Sequence, residues 1–241
     1  MSQTQLLAGL HPVLEAIKAG HTVEHVHVTK GAGGARIQEV LDHCRRLGIA
    51  IRFEERGAMD RLARGAVHQG VLAVVAAQKF RSLGEIPEGT RLVVVLDGVE
   101  DPHNLGAIVR TANAAGAGAV VIPERRAAGV TPVVSKAAAG ALEHVPIVKV
   151  TNINRALESL KEDGYWIYGL DERGEQTYDQ AEYNTPTVFV FGGEGHGLHQ
   201  QTRKHCDAVV RIPMSGAIAS LNVSVAAGVT LFEWKRRFQT E

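Results

Sequence analysis

Six short, almost uninterrupted apolar runs punctuate the later part of this 241-residue chain, at 92–96, 119–122, 147–150, 165–170, 187–191 and 208–212. A strand that is apolar at every position has no face to give to water, so it must be covered on both sides. Helical spacing fills the intervals, at about 104–115, 132–139, 154–162 and 198–205, and a long last helix spans 221–237. Apolar strands alternating with helices predict an α/β domain built on a parallel sheet.

A smaller α/β series precedes it. Residues 11–19 and 35–47 have helical spacing, with Ile37, Val40, Leu41 and Cys44 on one face. Residues 49–53 alternate as a half-buried strand, and 71–77 read as a fully buried one. The stretch 78–90 is polar and carries Gly84, Pro87 and Gly89. It reads as a linker between a domain at 1–77 and a second at 91–241.

Charge and cysteine usage narrow the function classes. Lys and Arg number 26 and Asp and Glu number 26, so the formal net charge is zero. That excludes a polybasic binder that holds nucleic acid by bulk charge, but not an enzyme with local basic patches. The two cysteines, Cys44 and Cys206, stand apart and give no disulfide framework. The run 71–77 is far shorter than the roughly 20 residues of a membrane span. The start, MSQTQLLAGLHPV, lacks the pattern of a signal peptide. A cytoplasmic setting without membrane attachment is expected.

Three stretches carry chemistry. In the first, LDGVEDPHNLGAIVRTANAAG at 96–116, Asn104 can cap a helix. Gly106 permits close approach to its first turn, and Arg110 projects away from Leu105, Ile108, Val109 and Ala112. A helix start with an arginine suits phosphate. The glycine spacing of a dinucleotide turn is missing, which speaks against a nucleotide-cofactor oxidoreductase. The second, VFVFGGEGHGLHQ at 188–200, runs a strand into Gly192, Gly193, Glu194, Gly195, His196 and Gly197. Glycines there leave backbone groups open to a ligand. The cluster His196, His199, His205 and Cys206 lacks zinc-site spacing, so no metal is expected. In the third, RIPMSGAIASLNVSVAAGVTLFEW at 211–234, Ser220 is a candidate cap. Leu221, Val225, Val229 and Phe232 recur at helical spacing, and Ala226, Ala227 and Gly228 allow close packing.

Taken in order, N-L-G-A-I-V-R at 104–110, G-G-E-G-H-G at 192–197 and I-P-M-S-G-A-I-A-S-L-N-V-S-V-A at 212–226 resemble the SpoU/TrmH branch of the SPOUT superfamily, the RNA ribose 2′-O-methyltransferases. A-G-L-H-P-V-L-E-A at 8–16 and G-A-V-H-Q-G-V at 65–71 resemble the small L30e/L7Ae-like RNA substrate-binding domain of rRNA-acting members. One departure is Ala8 before Gly9, where relatives more often have an aromatic residue.

The resemblance implies a trefoil-knotted catalytic domain, against the general rule that chains avoid knots. It implies S-adenosylmethionine as cofactor, bound in loops 191–197, 212–214 and 220–222 with Gly192, Gly193, Gly197, Ile212, Met214 and Leu221 around it. It assigns activation of the ribose hydroxyl to Arg110, with Asn104, Glu194, Ser220 and Asn222 as the other polar site residues. A guanidinium with a pKa above about 12 is a poor base, so a charged Arg110 that stabilises the developing alkoxide or holds a phosphate is chemically easier. Glu194 is expected to orient Asn104 or Arg110, and Ser220 and Asn222 to fix the substrate and the loops. The implied substrate is 23S rRNA, at a guanosine, and the implied assembly is a homodimer. The rival readings are the same chemistry on tRNA or on an rRNA adenosine, and a non-catalytic RNA-binding ribosome-assembly factor.

Overall fold

The computed structural model describes residues 4–18, 21–76, 80–125, 127–193, 195, 197–216 and 220–238. It divides into two compact units, Met1–Lys79 and Phe80–Glu241.

In the first unit the order is β1 (Thr4–Ala8), α1 (Leu10–Lys18), β2 (Val23–Thr29), α2 (Ala35–Leu47), β3 (Ala50–Glu54), α3 (Arg56–Ala63) and β4 (Val71–Ala76). The sheet runs β1-β4-β2-β3, antiparallel except for the parallel pair β2–β3. α1 and α2 cover one face, where Ile37, Val40, Leu41 and Cys44 are buried with Val26 and Val28. α3 covers part of the other face through Met59 and Ala63 against Leu72. The half-buried strand at 49–53 is only partly so. Ile49 and Ile51 pack on the core, but Phe53 is 53% exposed. β3 is an edge strand, paired with β2 alone.

The second unit contains β5 (Leu92–Asp97), α4 (Pro102–Ala115), β6 (Ala119–Pro123), α5 (Pro132–Ala138), β7 (Ile147–Val150), α6 (Ile153–Glu162), β8 (Trp166–Leu170), β9 (Gln176–Thr177), β10 (Thr187–Gly192), α7 (Gln200–His205), β11 (Ala208–Arg211) and α8 (Val223–Phe238). Its seven strands run in the order β7-β6-β5-β10-β8-β11-β9, and every pairing is parallel. β5 shows why the apolar runs are continuous. Leu92, Val94 and Leu96 face the core shared with α4 and α8, while Val93 and Val95 face the one shared with α6. Each such side chain, fully buried, contributes about 1.5–3 kcal/mol.

Two expectations need correction. Residues 80–90, read as linker, belong to the second unit. Arg81 donates to Ile147 O at 2.8 Å and its own carbonyl accepts from Lys149 N at 3.0 Å, extending the sheet beyond the edge strand β7. Ser82 and Glu85 form a capping box around a short 3₁₀ turn, and Leu83 and Ile86 pack on the core. The polar composition hid two apolar anchors. The second correction concerns α8, which starts at Val223 and not at 221, so that Leu221 precedes it. Leu221, Val225 and Phe232 are 37%, 51% and 48% exposed. The buried face is Val223, Ala226, Ala227, Thr230, Leu231 and Trp234. Small residues let this face settle against α4, while Trp234 donates from Nε1 to Thr187 Oγ1 at 2.7 Å beneath β10. Gly106 does what its position suggested. A Cβ there would meet Ala137 Cβ at 2.4 Å and Val134 O at 2.7 Å, so α5 can approach α4 only because it is absent.

Candidate active site

The site forms where β5, β10, β8 and β11 end. Parallel strands point their carboxyl ends the same way, and loops leaving a sheet at that edge are where such folds bind ligands. Phe191 and Gly192 close β10 and hand the chain to the glycine loop. A Cβ on Gly192 would lie 2.1 Å from the Gly197 carbonyl carbon, and one on Gly193 would lie 2.2 Å from Gly98 O. These two glycines were expected to free backbone groups for a ligand. Their missing side chains instead let the loop fold on itself and on the β5–α4 turn, with Gly193 N donating to Asp97 O at 3.0 Å. Gly197 takes a left-handed φ of +63°, and a Cβ there would sit 2.7 Å from Asp171 Oδ2.

A cavity of about 440 Å³ opens beside this loop. The six positions expected around a cofactor, Gly192, Gly193, Gly197, Ile212, Met214 and Leu221, all line it, and so do Ser220 and Asn222. Phe191, Ile212, Met214 and Leu221 give it apolar walls, and the residues from Asp171 to Arg173 give one charged side.

The polar residues sort differently from the expectation. Asn104 does not cap α4. Asp101 does, accepting from His103 N at 3.0 Å with Pro102 in the first turn. A carboxylate is as good a cap as an amide, and proline favours the position after it. Asn104 is thereby carried into the helix, 5% exposed, where its Oδ1 accepts from Asn222 Nδ2 at 3.0 Å. Ser220 is not the cap of α8 either. Asn222 fills that place, its Oδ1 accepting from Ser224 N at 2.9 Å. One side chain therefore starts α8 and ties it to α4. Arg110 is exposed on the third turn of α4, opposite the buried Leu105, Ile108, Val109 and Ala112, and is not among the residues lining the cavity. Glu194 lies outside the described residues, as does His196. Of the remaining cluster, His199 pairs with Asp97, His205 Nδ1 is 3.7 Å from Glu158, and burial pushes the Cys206 thiol up to about 12.

Sequence reasoning missed Asp171 and Arg173. Asp171 follows β8 and is 6% exposed. Burial alone would raise its carboxyl, but hydrogen bonds from Arg173 and from Leu198 N hold it down at about 2. A signal was present, since both strands flanking β10 run into Leu-Asp, at 96–97 and at 170–171.

A parallel sheet with a glycine-loop cavity at its carboxyl edge, an asparagine pair joining the two helices beside it, and a small mixed α/β unit ahead defines a two-unit α/β protein with a small-molecule site at the sheet edge. The profile of the SpoU rRNA Methylase family matches residues 91–232, and that described as RNA 2′-O ribose methyltransferase substrate binding matches residues 6–81. The chain belongs to the SpoU rRNA methylase family. It is 43% identical over 245 residues to the 23S rRNA (guanosine-2′-O-)-methyltransferase RlmB of Pseudomonas syringae pv. tomato, covering 98% of this chain and 97% of that one. The Haemophilus influenzae protein of the same name is 41% identical, covering 97% and 98%. Among solved structures, the SpoU methyltransferase AviRb from Streptomyces viridochromogenes in complex with AdoMet superposes with a TM-score of 0.67 at 26% identity, covering 97% of this chain and 90% of that one.

Proposed function

We propose that this protein transfers the methyl group of S-adenosylmethionine to the ribose 2′-hydroxyl of a guanosine in 23S rRNA. The observation that carries the reading is convergence. The second and third stretches line one cavity, Asn222 at its edge is bonded to Asn104 of the first, and the two relatives aligned along nearly the whole chain share one name.

The cavity fits the cofactor. Its volume lies within the roughly 300–1,000 Å³ of small-molecule sites, which are mostly apolar with a few placed polar groups. When bound, S-adenosylmethionine supplies a methyl group on a positively charged sulfur. The chain's residues hold the two reacting atoms in line, an alignment worth about 7–11 kcal/mol of barrier. Gly192, Gly193 and Gly197 shape the loop, and Ile212, Met214 and Leu221 supply the walls. Asn104 and Asn222 lock the loop before α8 to α4, and Ser220 stands at the rim toward the substrate. The new bond to the ribose oxygen would replace the methyl's bond to sulfur, whose electron pair stays on the sulfur; the hydroxyl proton leaves to solvent, and charged Arg110 would stabilise the oxygen that loses it. Glu194 orients Asn104 or Arg110. The family's trefoil knot goes with this reading, supported by the meeting of loops 191–197, 212–216 and 220–223 at the cavity.

Assembly as a homodimer follows the same line. Val225 and Phe232 are exposed apolar side chains on α8, with Leu221 exposed just ahead of it, and Arg110 does not line the cavity of its own chain. A second copy packed on these side chains would cover them and bring the sites to the interface.

The first unit is proposed to grip the RNA. The two stretches that resemble the substrate-binding domain meet in space, with Gly9 N donating to Val71 O at 3.1 Å and Leu10 N to Gln69 Oε1 at 3.2 Å. Beside them Val67 is 80% exposed, and Arg61 and Arg64 are exposed on and after α3. Affinity should fall with salt, as phosphate contacts require. No helix among the described residues is long and apolar enough to cross a membrane, and Cys44 and Cys206 are free thiols. Both suit a cytoplasmic enzyme.

The test is transfer of labelled methyl from S-adenosylmethionine to unmethylated 23S rRNA, with tRNA alongside and the product mapped by ribose-specific nuclease resistance. Label at one guanosine ribose of 23S rRNA is the expected result. Label on tRNA or on an adenosine would keep the chemistry and discard the substrate. No label, with cofactor bound, would leave an assembly factor.

A further inference from the structure

β10 lies between β5 and β8, and its last residue is bracketed by acids. Asp97 stands opposite Gly192 in register, and Asp171 follows Leu170, which stands opposite Phe191. Both are buried, at 7% and 6% exposure. The glycine loop leaves the sheet between these aspartates and returns past them. On return, Asp171 Oδ2 accepts from Leu198 N at 3.1 Å and Asp97 Oδ2 accepts from the next amide, His199 N, at 3.2 Å. Asp97 Oδ2 also pairs with His199 Nδ1 at 2.9 Å. At departure, the Asp97 carbonyl holds Gly193 N.

Asp171 has no acceptor capacity to spare. Its Oδ1 takes Arg173 N at 3.0 Å and Nε at 2.7 Å, and its Oδ2 takes Arg173 Nη2 at 2.8 Å besides Leu198 N. Four donors fill the about four lone-pair sites of a carboxylate. Although it lines the cavity, its carboxylate is spent on the chain. Asp97 is not among the cavity residues at all. Any influence of either carboxylate on a bound molecule must therefore run through the loop.

We propose that Asp97 and Asp171 are positioning residues for methyl transfer, forming a two-carboxylate clamp that fixes where the glycine loop leaves the sheet at Gly193 and returns at Leu198 and His199. This rests on the S-adenosylmethionine reading above. Four glycines between 192 and 197 give the loop wide conformational freedom. With the clamp, both ends of the loop are already held before the cofactor arrives. Without it, binding must order the loop, which weakens affinity more than it slows the step that follows.

The experiment measures S-adenosylmethionine binding by calorimetry, and KM and kcat for methyl transfer, in the wild type, Asp171→Asn and Asp97→Asn. Asparagine keeps the size but loses the charge that makes these hydrogen bonds strong. Each variant should raise the dissociation constant and KM for S-adenosylmethionine about tenfold or more, with KM rising further than kcat falls. RNA affinity, read by anisotropy, should stay at the wild-type value, a split that general loosening of the fold would not give. Should neither variant melt above the assay temperature, Arg173→Lys decides. Arg173 is half-exposed, and lysine breaks the fork on Asp171 while keeping the charge; an affinity loss of about threefold is expected. Wild-type protein that binds S-adenosylmethionine while the folded variants bind it within about twofold as tightly would overturn the clamp. Wild-type protein that does not bind it would overturn the methyl-transfer reading, and the clamp with it.

Discussion

β2 and β5 are both central strands of their sheets, yet they are written differently. β2 reads Val-Glu-His-Val-His-Val-Thr, with Val26 and Val28 in the core and His25 and His27 on the other face, their Nε2 atoms 3.0 Å apart. β5 reads Leu-Val-Val-Val-Leu-Asp and is buried throughout. The first unit has a sheet with one face packed and the other only partly covered, so polar side chains can sit in mid-strand. The second has no such room. Its strands are spent on two cores, and everything polar that matters is pushed to their carboxyl ends, where Asp97, Asp171 and the glycine loop sit.

If that division is right, the deepest damage comes from the two-sided core. Trp234→Ala should destabilise the second unit by about 3–5 kcal/mol, since it removes a fully buried indole together with its hydrogen bond to Thr187 Oγ1. Thermal melting followed by circular dichroism would show it as a large fall in midpoint. Arg110→Ala tests the opposite kind of site, an exposed side chain whose loss should leave the fold intact. Turnover should fall by about a hundredfold to a thousandfold, or about 3–4 kcal/mol of barrier, with cofactor affinity near that of the wild type. Retention of most of the turnover would remove Arg110 from the chemistry.

Glycines sharpen the contrast. Gly193→Ala would drive a Cβ to within 2.2 Å of the Gly98 carbonyl, against backbone that cannot step aside, and should cost about 1–3 kcal/mol and cofactor binding together. Gly33→Ala, ahead of α2 with nothing within 4 Å, should be silent in the same melts.

Legibility in the sequence follows the same division. The strands of the second unit were readable because double burial writes them as unbroken apolar runs, and loops 192–197 and 212–222 were readable as motifs. Three things were not. The core face of α8 was left open because two stripes share its helical period, and only packing on α4 puts Ala226, Ala227 and Leu231 inside and leaves Val225 and Phe232 out. Asn104 looked like a cap because sequence shows that asparagine can cap, not that Asp101 already does. Asp171 was overlooked because the Leu-Asp that it shares with 96–97 marks a strand end without saying what the acid will hold. Its meaning lies in Leu198, which returns to it from 27 residues further along the chain.

Acid should act through that same aspartate. The Asp171 carboxyl sits at about 2 in the folded chain, below its ordinary value of 3.8. A depressed carboxyl adds stability that is complete above its unfolded pKa and lost as pH falls through the folded one. The contribution should therefore be constant at neutral pH and drain away between about pH 4 and pH 2. Melting midpoints across that window should fall more steeply for the wild type than for Asp171→Asn, which has no such carboxyl to protonate. Parallel slopes would mean that the acid sensitivity lies elsewhere.

The smallest effect is expected where β3 reaches the edge of the first sheet. Phe53 is apolar and follows the alternation of its strand, so the pattern alone assigns it to a core and predicts a cost of several kcal/mol on truncation. In the fold it has a neighbouring strand on one side only and is more than half exposed. Phe53→Ser should thus change stability by no more than about 0.5 kcal/mol, the ordinary range for a surface substitution. Urea denaturation can resolve the two outcomes. A loss of several kcal/mol would mean that Phe53 is covered in solution, and the contrast between a partly open sheet and a closed one would have to be redrawn.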